Sequence, residues 1–222
     1  MVVGPTGHGK STTLASMIDI INHEENRLII TIEDPIEYLY IQDQSIISQR
    51  EVGSDTTTFY KALRSMFRQD VDVAMIGEMR DSITISTAVT AAETGHLIFS
   101  SLHTNTAGQT IFRILDSFPA EQQSQIRSQL AGSLLGIFSQ RLVPRISGGL
   151  IPSYELLIAN TAVRNLIREN RIHEIDIVIE TSREAGMVSL NQSLLDLVRR
   201  GEITMENAIQ YSNSPKSLKE LM

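Results

Sequence analysis

A glycine-rich segment near the start of the chain has the residue types and spacing of a phosphate-binding loop. Residues Gly4 to Ser11 read GPTGHGKS, a complete match to the pattern G-x-x-x-x-G-K-[ST], and a helix-forming run follows directly. The glycines Gly4, Gly7 and Gly9 allow the backbone to turn its N–H groups inward, toward phosphate oxygens. The pattern therefore predicts a P-loop that binds the phosphates of ATP.

The side chains of this loop have separate predicted tasks. Lys10 can reach the β and γ phosphates, and Ser11 can ligate Mg²⁺. His8 occupies a variable position of the pattern, so we expect a tolerated substitution whose ring faces solvent. The predicted contacts to ATP come from Gly4, Pro5, Thr6, Gly7, His8, Gly9, Lys10, Ser11 and Thr12.

Two acidic clusters follow apolar runs farther along the chain. Glu33, Asp34 and Glu37 form the first cluster, and Glu78 lies in the second. Hydrolysis of ATP needs one carboxylate that positions or deprotonates water and another that organises the Mg²⁺ shell. Solvated loop residues are the alternative interpretation, but both clusters fall at ends of predicted strands, where such carboxylates are needed.

Two histidines, His96 and His103, bracket a third apolar run. A lone histidine in such a place is more often structural than functional. His103, however, lies beyond the end of the run, in SSLHTNTA, on the side where the acidic residues also lie. It could therefore sense phosphate or the neighbouring carboxylates.

The elements that position these groups are predicted to alternate between strand and helix. Short β-branched or apolar runs indicate buried strands, and residues at helical spacing indicate the helices between them. This pattern favours an α/β fold with a mostly parallel sheet, whose ligands bind at the carboxyl ends of the strands. The predicted strands are 27–32, 73–76 and 97–101, and the predicted helices are 10–25, 56–69 (with Phe59, Leu63, Met66 and Phe67 inward) and 82–93.

The second half of the chain is predicted to be mainly helical. Ile126, Leu130, Leu134 and Ile137 form one stripe, which predicts a helix over 120–141. A turn at 148–149 and a strand over 151–158 follow, and then short helical pieces from 160 onward. We therefore expect a core domain over 1–159 and a small helical subdomain over 160–222. Only three residues precede the P-loop, so we expect a truncated first strand and further sequence upstream.

Composition limits the class of protein. The 222 residues carry a net charge of −7 and include no cysteine, and the isoelectric point is near 5.2. An acidic chain is a poor general nucleic-acid binder, so we expect no nucleic-acid partner. The apolar runs are only strand-sized, so we expect no membrane insertion. The absence of cysteine excludes disulfides and thiolate metal sites and fits a reducing cytoplasm.

Four segments, in this order, resemble the motifs of the secretion ATPase superfamily that drives type II secretion and type IV pili. GPTGHGKSTT is similar to its Walker A sequence, ITIEDPIEY to its Asp box, RQDVDVAMIGEMRD to its Walker B signature and TGHLIFSSLHTNTA to its His box. Val71 departs from the proline that is usual in the third motif. AVRNLIRE, residues Ala162 to Glu169, resembles the AIRNLIRE motif of the PilT retraction branch. Assembly and type II secretion ATPases of this superfamily commonly carry a four-cysteine zinc module. This chain has no cysteine, which also favours retraction over extension.

The resemblance implies a RecA-like P-loop NTPase core that works as a homohexamer, with ATP and Mg²⁺ between neighbouring units. It also implies a preceding PAS-like domain, which is absent here, and a cytoplasmic motor lying peripherally at an inner-membrane pilus machine. Its partners would be the platform protein and, for some systems, PilU-like or extension paralogues. Hydrolysis would power pilus retraction and twitching motility.

The resemblance also implies roles for single residues. Glu37 would activate water, with Glu33 supporting it or acting in its place. Glu78 would be the Walker B carboxylate, near Mg²⁺ with Ser11. The remaining roles are coupling to the nucleotide state, by His96 and His103, and contact with a nucleotide shared with a neighbouring subunit, by Arg80 or Arg113.

Other functions stay open at this point. A PilU-like accessory ATPase shares much of the C-terminal pattern. A P-loop phosphotransferase would need a lid and an acceptor site, for which the sequence has no motif. A third alternative is a fragment that binds nucleotide without hydrolysing it and serves as an oligomerisation or regulatory piece.

Overall fold

The protein has an α/β fold, described by a computed structural model over residues 1–221. Met222, the last residue of the predicted helical subdomain, lies outside the described residues. The strands are β1 (Val2–Val3), β2 (Leu28–Glu33), β3 (Ile46–Glu51), β4 (Val73–Ile76), β5 (Leu97–Leu102), β6 (Gly136–Pro144) and β7 (Leu150–Ile158). Their hydrogen-bonded order is β3-β2-β4-β5-β1-β6-β7.

Helices connect and follow these strands. They are α1 (Lys10–Glu24), α2 (Phe59–Met66), α3 (Ser82–Glu93), α4 (Ala107–Asp116), α5 (Ala120–Ser133), α6 (Thr161–Arg168), α7 (Ile175–Thr181), α8 (Leu190–Arg199), α9 (Met205–Tyr211) and α10 (Pro215–Glu220). Within residues 1–221, no helix combines the length and the apolar character that crossing a bilayer requires.

The chain forms two compact units. The first contains Met1–Val2, Lys10–Leu102 and Phe112–Leu134, and the second contains Val3–Gly9, His103–Ile111 and Leu135 onward. Strands β6 and β7 thus belong to the same unit as the C-terminal helices. The predicted boundary between 159 and 160 stays a prediction.

The parallel strands of the first unit confirm the predicted sheet. β2 lies between β3 and β4, and β4 pairs with β5, all in parallel. Ile29, Ile30 and Ile32 are almost fully buried, as expected for a β-branched strand covered on both faces. Because the strands are parallel, Glu33 at the end of β2 and Glu78 just after β4 follow carboxyl ends at one edge of the sheet.

Helices α2 and α3 begin at side-chain caps. Thr58 accepts a hydrogen bond from the N–H of Lys61 at the start of α2, and Asp81 accepts one from the N–H of Thr84 at the start of α3. α3 matches its predicted bounds, whereas α2 is shorter than the predicted 56–69. Phe67 follows the end of α2 and is 40% exposed, so its predicted inward position was wrong.

The predicted helix over 120–141 is wrong in its second half. α5 ends at Ser133, and Gly136 begins strand β6, which pairs antiparallel with β7 from Gly136 opposite Ile158 to Pro144 opposite Leu150. A Cβ atom on Gly136 would lie 2.8 Å from the carbonyl oxygen of Leu157. Glycine at position 136 therefore allows the backbone of β6 to approach β7 closely, which stabilises the strand in place of a helix.

Successive residues of β6 point to opposite faces, and the C-terminal helices pack on one of them. Val143 is fully buried in a cluster with apolar residues of these helices, including Leu194, Leu195 and Ile203. Arg141 donates hydrogen bonds to the carbonyl oxygen of Tyr211 (2.8 Å) and to the Asn213 side chain.

The AVRNLIRE segment forms α6, as its spacing predicts. Asn160 caps the helix by accepting a hydrogen bond from the N–H of Val163. Val163, Leu166 and Ile167 are buried, so one face of this helix packs into the second unit.

Candidate nucleotide-binding site

The first part of the P-loop, Gly4 to Gly9, adopts backbone angles that favour glycine. Gly4 has a φ of +149° and Gly9 a φ of +79°. A Cβ atom on Gly4 would lie 2.3 Å from the carbonyl oxygen of Gln140, so the loop approaches β6 too closely for any side chain there. These angles allow consecutive N–H groups to face an anion, and the residues fit a phosphate group.

His103 lies next to this part of the loop. Its Nδ1 atom is 3.2 Å from the Thr6 Oγ1 atom, within hydrogen-bonding distance. His103 directly follows the end of β5. A histidine in contact with a phosphate-binding loop can respond to a change in charge there.

The expected solvent-facing orientation of the His8 ring is wrong. His8 Nδ1 accepts a hydrogen bond from the Leu142 N–H (2.9 Å), and the His8 carbonyl oxygen accepts one from Gln140 Nε2 (2.8 Å). Gln140 is 5% exposed and Leu142 is half-buried, both on β6. The sequence could not indicate Gln140, because its segment reads as helix.

In the first unit, Lys10 begins α1 and faces two of the predicted carboxylates. Lys10 is only 8% exposed. Burial lowers the pKa of Lys10 below its ordinary value, and the charges of Glu78 and Glu37 offset only part of this shift. The first unit therefore places the P-loop lysine and one residue from each acidic cluster close enough to interact.

Glu33 and Glu37 have different surroundings. Glu33 is 7% exposed and accepts hydrogen bonds from Thr31 Oγ1 (2.7 Å) and Gln49 Nε2 (3.4 Å). Glu37 is exposed, in the irregular segment that follows β2. The Glu33 carboxylate is thus held by protein partners, whereas Glu37 is open to solvent water.

Near Glu37, Tyr38 contacts α1. The hydroxyl groups of Tyr38 and Thr12 lie 2.8 Å apart, which joins this segment to the first turn of the helix after the loop. Ser11, the predicted Mg²⁺ ligand, is exposed in the same turn. Sequence reasoning missed Tyr38, which gave no signal beyond its place in the Asp box.

Glu78 is paired with Arg80. The Arg80 Nε atom donates to Glu78 Oε2 at 2.8 Å, with the Arg80 side chain 67% exposed. This hydrogen bond, and the charge of Glu78, raise the pKa of Arg80. Ser101 supports the preceding turn by donating to the Gly77 carbonyl oxygen at 2.5 Å.

The structure does not bring His96 to these carboxylates. His96 precedes β5, at the amino end of a strand, whereas Glu33 and Glu78 follow carboxyl ends of parallel strands. Its ring contacts Phe67 edge-on at 5.7 Å, and its Nδ1 atom lies 3.0 Å from the Ala91 carbonyl oxygen. This surrounding is structural and does not support the predicted nucleotide role within one chain.

Arg113 lies in the last turn of α4, and its side chain is exposed. Its predicted contact with a nucleotide shared with a neighbouring subunit stays a prediction.

Ser11 and Glu78 carry side-chain oxygen atoms, the ligand type that Mg²⁺ prefers. Among residues 1–221, no group of three His, Cys, Asp or Glu side chains could hold a metal ion. Mg²⁺ in nucleotide sites takes most of its ligands from phosphates and water and needs few from the protein. Ser11 and Glu78 are the predicted side chains on this chain, with Glu78 able to act through water.

A buried carboxylate, Glu155 on β7, was not anticipated. It is 7% exposed, and its Oε1 atom accepts a hydrogen bond from the N–H of Ala107, the first residue of α4 (2.7 Å). Burial raises the pKa of Glu155 to about 7, and the charges of Asp176 and Glu180 also raise it. The hydrogen bond and the charge of Arg141 act in the opposite direction.

These features define an α/β protein of the P-loop class. A glycine-rich loop runs into the first helix, and carboxylates that follow parallel strands face the loop's lysine. Residues 1–149 match the family model described as "Type II/IV secretion system protein". The chain belongs to this family.

Individual relatives are similar over nearly the whole chain. It is 46% identical to the "Type IV pilus retractation ATPase PilT" of Pseudomonas aeruginosa, covering 98% of this chain and 63% of that protein. It is 49% identical to a "Twitching motility protein" of Neisseria gonorrhoeae, with 98% and 59% covered. The chain thus spans about three fifths of the length of these relatives.

A solved structure is also similar to this fold. The crystal structure of the pilus retraction motor PilT with bound ADP superposes with a TM-score of 0.92 at 53% identity, covering 99% of this chain and 62% of that one. The expected α/β fold with a mostly parallel sheet is confirmed.

Proposed function

We propose that this chain is the ATP-binding and hydrolysing part of a motor that powers type IV pilus retraction. The observation that carries the proposal is the surrounding of Lys10, which is buried at the start of α1 with Glu78 and Glu37 facing it. Two findings support the proposed role: similarity to PilT of Pseudomonas aeruginosa and similarity to a PilT structure that holds ADP.

Different groups of the chain bind the phosphates and accept the proton of the attacking water. Loop N–H groups and the Lys10 ammonium group bind the β and γ phosphates and stabilise the charge that develops during transfer. Mg²⁺ bound with the nucleotide supplies further positive charge. Glu37 accepts a proton from the attacking water as the water oxygen bonds to the γ phosphorus; the bond to the bridging oxygen breaks, and ADP leaves.

Glu37 suits this task better than Glu33. Glu33 already accepts hydrogen bonds from Thr31 and Gln49, while Glu37 is exposed to water and lies near Lys10. Glu78, with Ser11, would hold the Mg²⁺ that accompanies the nucleotide. His103 responds to the phosphates through its contact with Thr6.

The assembly proposed for the native protein follows from the family resemblance. It is a homohexamer that lies on the cytoplasmic side of the inner membrane and acts on the pilus platform protein, with PilU-like or extension paralogues as further partners. Conversion of ATP to ADP in the ring would drive removal of pilin subunits. Size-exclusion chromatography with light scattering measures the oligomeric state.

Two variants test the catalytic proposal. One changes the residue proposed to bind phosphate, and the other changes the residue proposed to accept the proton from water. Lys10→Ala removes the ammonium group, and Glu37→Gln keeps the shape of the side chain but cannot accept a proton. We expect Lys10→Ala to weaken ADP binding at least tenfold in calorimetric titration, and Glu37→Gln to lower the rate of phosphate release at least a hundredfold with ADP binding unchanged.

Lys61→Ala is the matched control, because Lys61 is an exposed lysine on α2 outside the site. Wild-type ADP affinity in Lys10→Ala would refute the proposed binding site. Binding without phosphate release in the wild-type protein would favour the inert alternative, and transfer of phosphate to an added small molecule would favour a phosphotransferase.

A further inference from the structure

Two hydrogen bonds join strand β6 to residue His8 of the P-loop. Both hydrogen bonds come from β6: Gln140 Nε2 donates to the His8 carbonyl oxygen (2.8 Å), and the Leu142 N–H donates to the His8 ring (2.9 Å). We propose that His8 and Gln140 are positioning residues that fix the P-loop in its phosphate-binding shape. This proposal rests on the proposed nucleotide binding.

The Gln140 bond sets the direction of a loop N–H group. A trans peptide is planar, so the carbonyl of His8 and the N–H of Gly9 point in opposite directions. Because the His8 carbonyl faces Gln140, the Gly9 N–H faces away from β6. Gly9 is one of the loop residues whose N–H groups are predicted to bind phosphate, and Gln140 keeps that donor from rotating away.

The ring bond prevents the loop from sliding along the strand. The Leu142 N–H requires His8 Nδ1 as an unprotonated acceptor, so the ring hydrogen lies on Nε2. Hydrogen-bonded and non-hydrogen-bonded pairs alternate along β6 and β7, and Arg145 donates to the Gly149 carbonyl oxygen just beyond the strands. Leu142, opposite Pro152, is therefore at a non-hydrogen-bonded position, and its N–H points away from β7. The loop uses this donor, so His8 occupies a fixed place along β6.

Close packing supports the same two contacts. A Cβ atom on Gly9 would lie 2.8 Å from Gln140 Nε2, and one on Gly4 would lie 2.3 Å from the Gln140 carbonyl oxygen. Gln140 thus touches the loop before, at and after His8. A residue with 5% exposure and three such neighbours has little freedom to adopt another rotamer.

Two amide substitutions at His8 test the ring contact. The amide of asparagine lies where Nδ1 of histidine lies, whereas the longer glutamine places its amide near Nε2. We expect His8→Asn to bind ADP within about twofold of wild type and His8→Gln to bind about tenfold more weakly, because only Asn can accept from Leu142. The maximal rate of ATP hydrolysis should change less than the KM for ATP in both variants.

Gln140→Met tests the second contact, since methionine has a similar volume and no N–H donor. We expect about a tenfold loss of ADP affinity, with far-UV circular dichroism unchanged. His173→Gln is the control, because the His173 side chain is 76% exposed. Equal ADP affinity of His8→Asn and His8→Gln, together with wild-type affinity of Gln140→Met, would overturn the proposal.

Lys10→Ala separates the two possible failures. If Lys10→Ala still binds ADP as tightly as wild type, nucleotide binding at this loop is itself wrong. If Lys10→Ala loses binding while the His8 and Gln140 variants keep it, only the positioning role is wrong.

Discussion

The buried carboxyl group of Glu155 leads to a prediction of how the unfolding free energy depends on pH. This prediction does not depend on nucleotide binding. Its carboxyl group is buried on β7 against the start of α4, and burial raises its pKa from an ordinary value of 4.5 to about 7. The folded protein therefore binds the proton more tightly than the unfolded chain does. This contribution to stability is complete below pH 4.5 and is lost as the pH rises through about 7.

The size of the effect follows from the two pKa values. One pKa unit corresponds to about 1.4 kcal/mol, so the contribution falls by roughly 2 to 3 kcal/mol between pH 5 and pH 8. Glu155→Gln cannot ionise, yet its amide oxygen can still accept the hydrogen bond from the Ala107 N–H. We therefore expect the variant to exceed wild type in unfolding free energy at pH 8 by more than it does at pH 5.

Urea unfolding at a series of pH values measures this difference. Far-UV circular dichroism follows the transition, because the chain has no tryptophan. Glu184→Gln makes the same chemical change at an exposed position and should leave the pH dependence of wild type in place. Parallel stability curves for wild type and Glu155→Gln would refute the assignment of the raised pKa to Glu155.

Two further predictions concern packing and a surface ion pair. Gly136→Ala should lower the unfolding free energy by about 1 to 3 kcal/mol, because the added Cβ atom would lie 2.8 Å from the Leu157 carbonyl oxygen. Gly132 lies on α5 with open space where a Cβ atom would be. Gly132→Ala should therefore raise the unfolding free energy by up to about 1 kcal/mol. Urea unfolding of both variants compares them directly, and equal effects would contradict the strand geometry. Arg80→Ala should cost less than about 1 kcal/mol, since the Arg80 side chain is 67% exposed in its pair with Glu78. A loss above 2 kcal/mol in the same assay would show that this pair is structurally important.

Local sequence was sufficient for the elements whose pattern and packing agree. The parallel strands β2, β4 and β5 are short β-branched or apolar runs, and β2 and β4 are buried almost throughout, as expected for strands covered on both faces. The acidic residues at their ends could be predicted as neighbours because parallel strands bring their carboxyl ends to one edge. Glu78 and Glu37 beside Lys10 are the result.

Other features depend on contacts that are distant in the sequence. The helical spacing of Leu130, Leu134 and Ile137 is real, but the pairing of β6 with β7 outweighs it from Gly136 onward. Helix α4 was not predicted at all, although Ile111, Ile114 and Leu115 are buried at helical spacing.

The positions of His8 and Glu155 could not be predicted for the same reason. Each is set by a hydrogen bond to a residue distant in the sequence: Leu142, 134 positions from His8, and Ala107, 48 positions from Glu155. No local pattern indicates such a partner.

Successive residues of strand β6 contact two different parts of the second unit. Gln140 and Leu142 hold the phosphate loop, while the intervening and following residues, Arg141 and Val143, hold the C-terminal helices. Because β6 is paired with β7 along its length, the loop and the helices are attached to one continuous strand, so a shift of that strand would displace both. Within this unit, the glycine-rich loop and the C-terminal helices thus share one nine-residue strand.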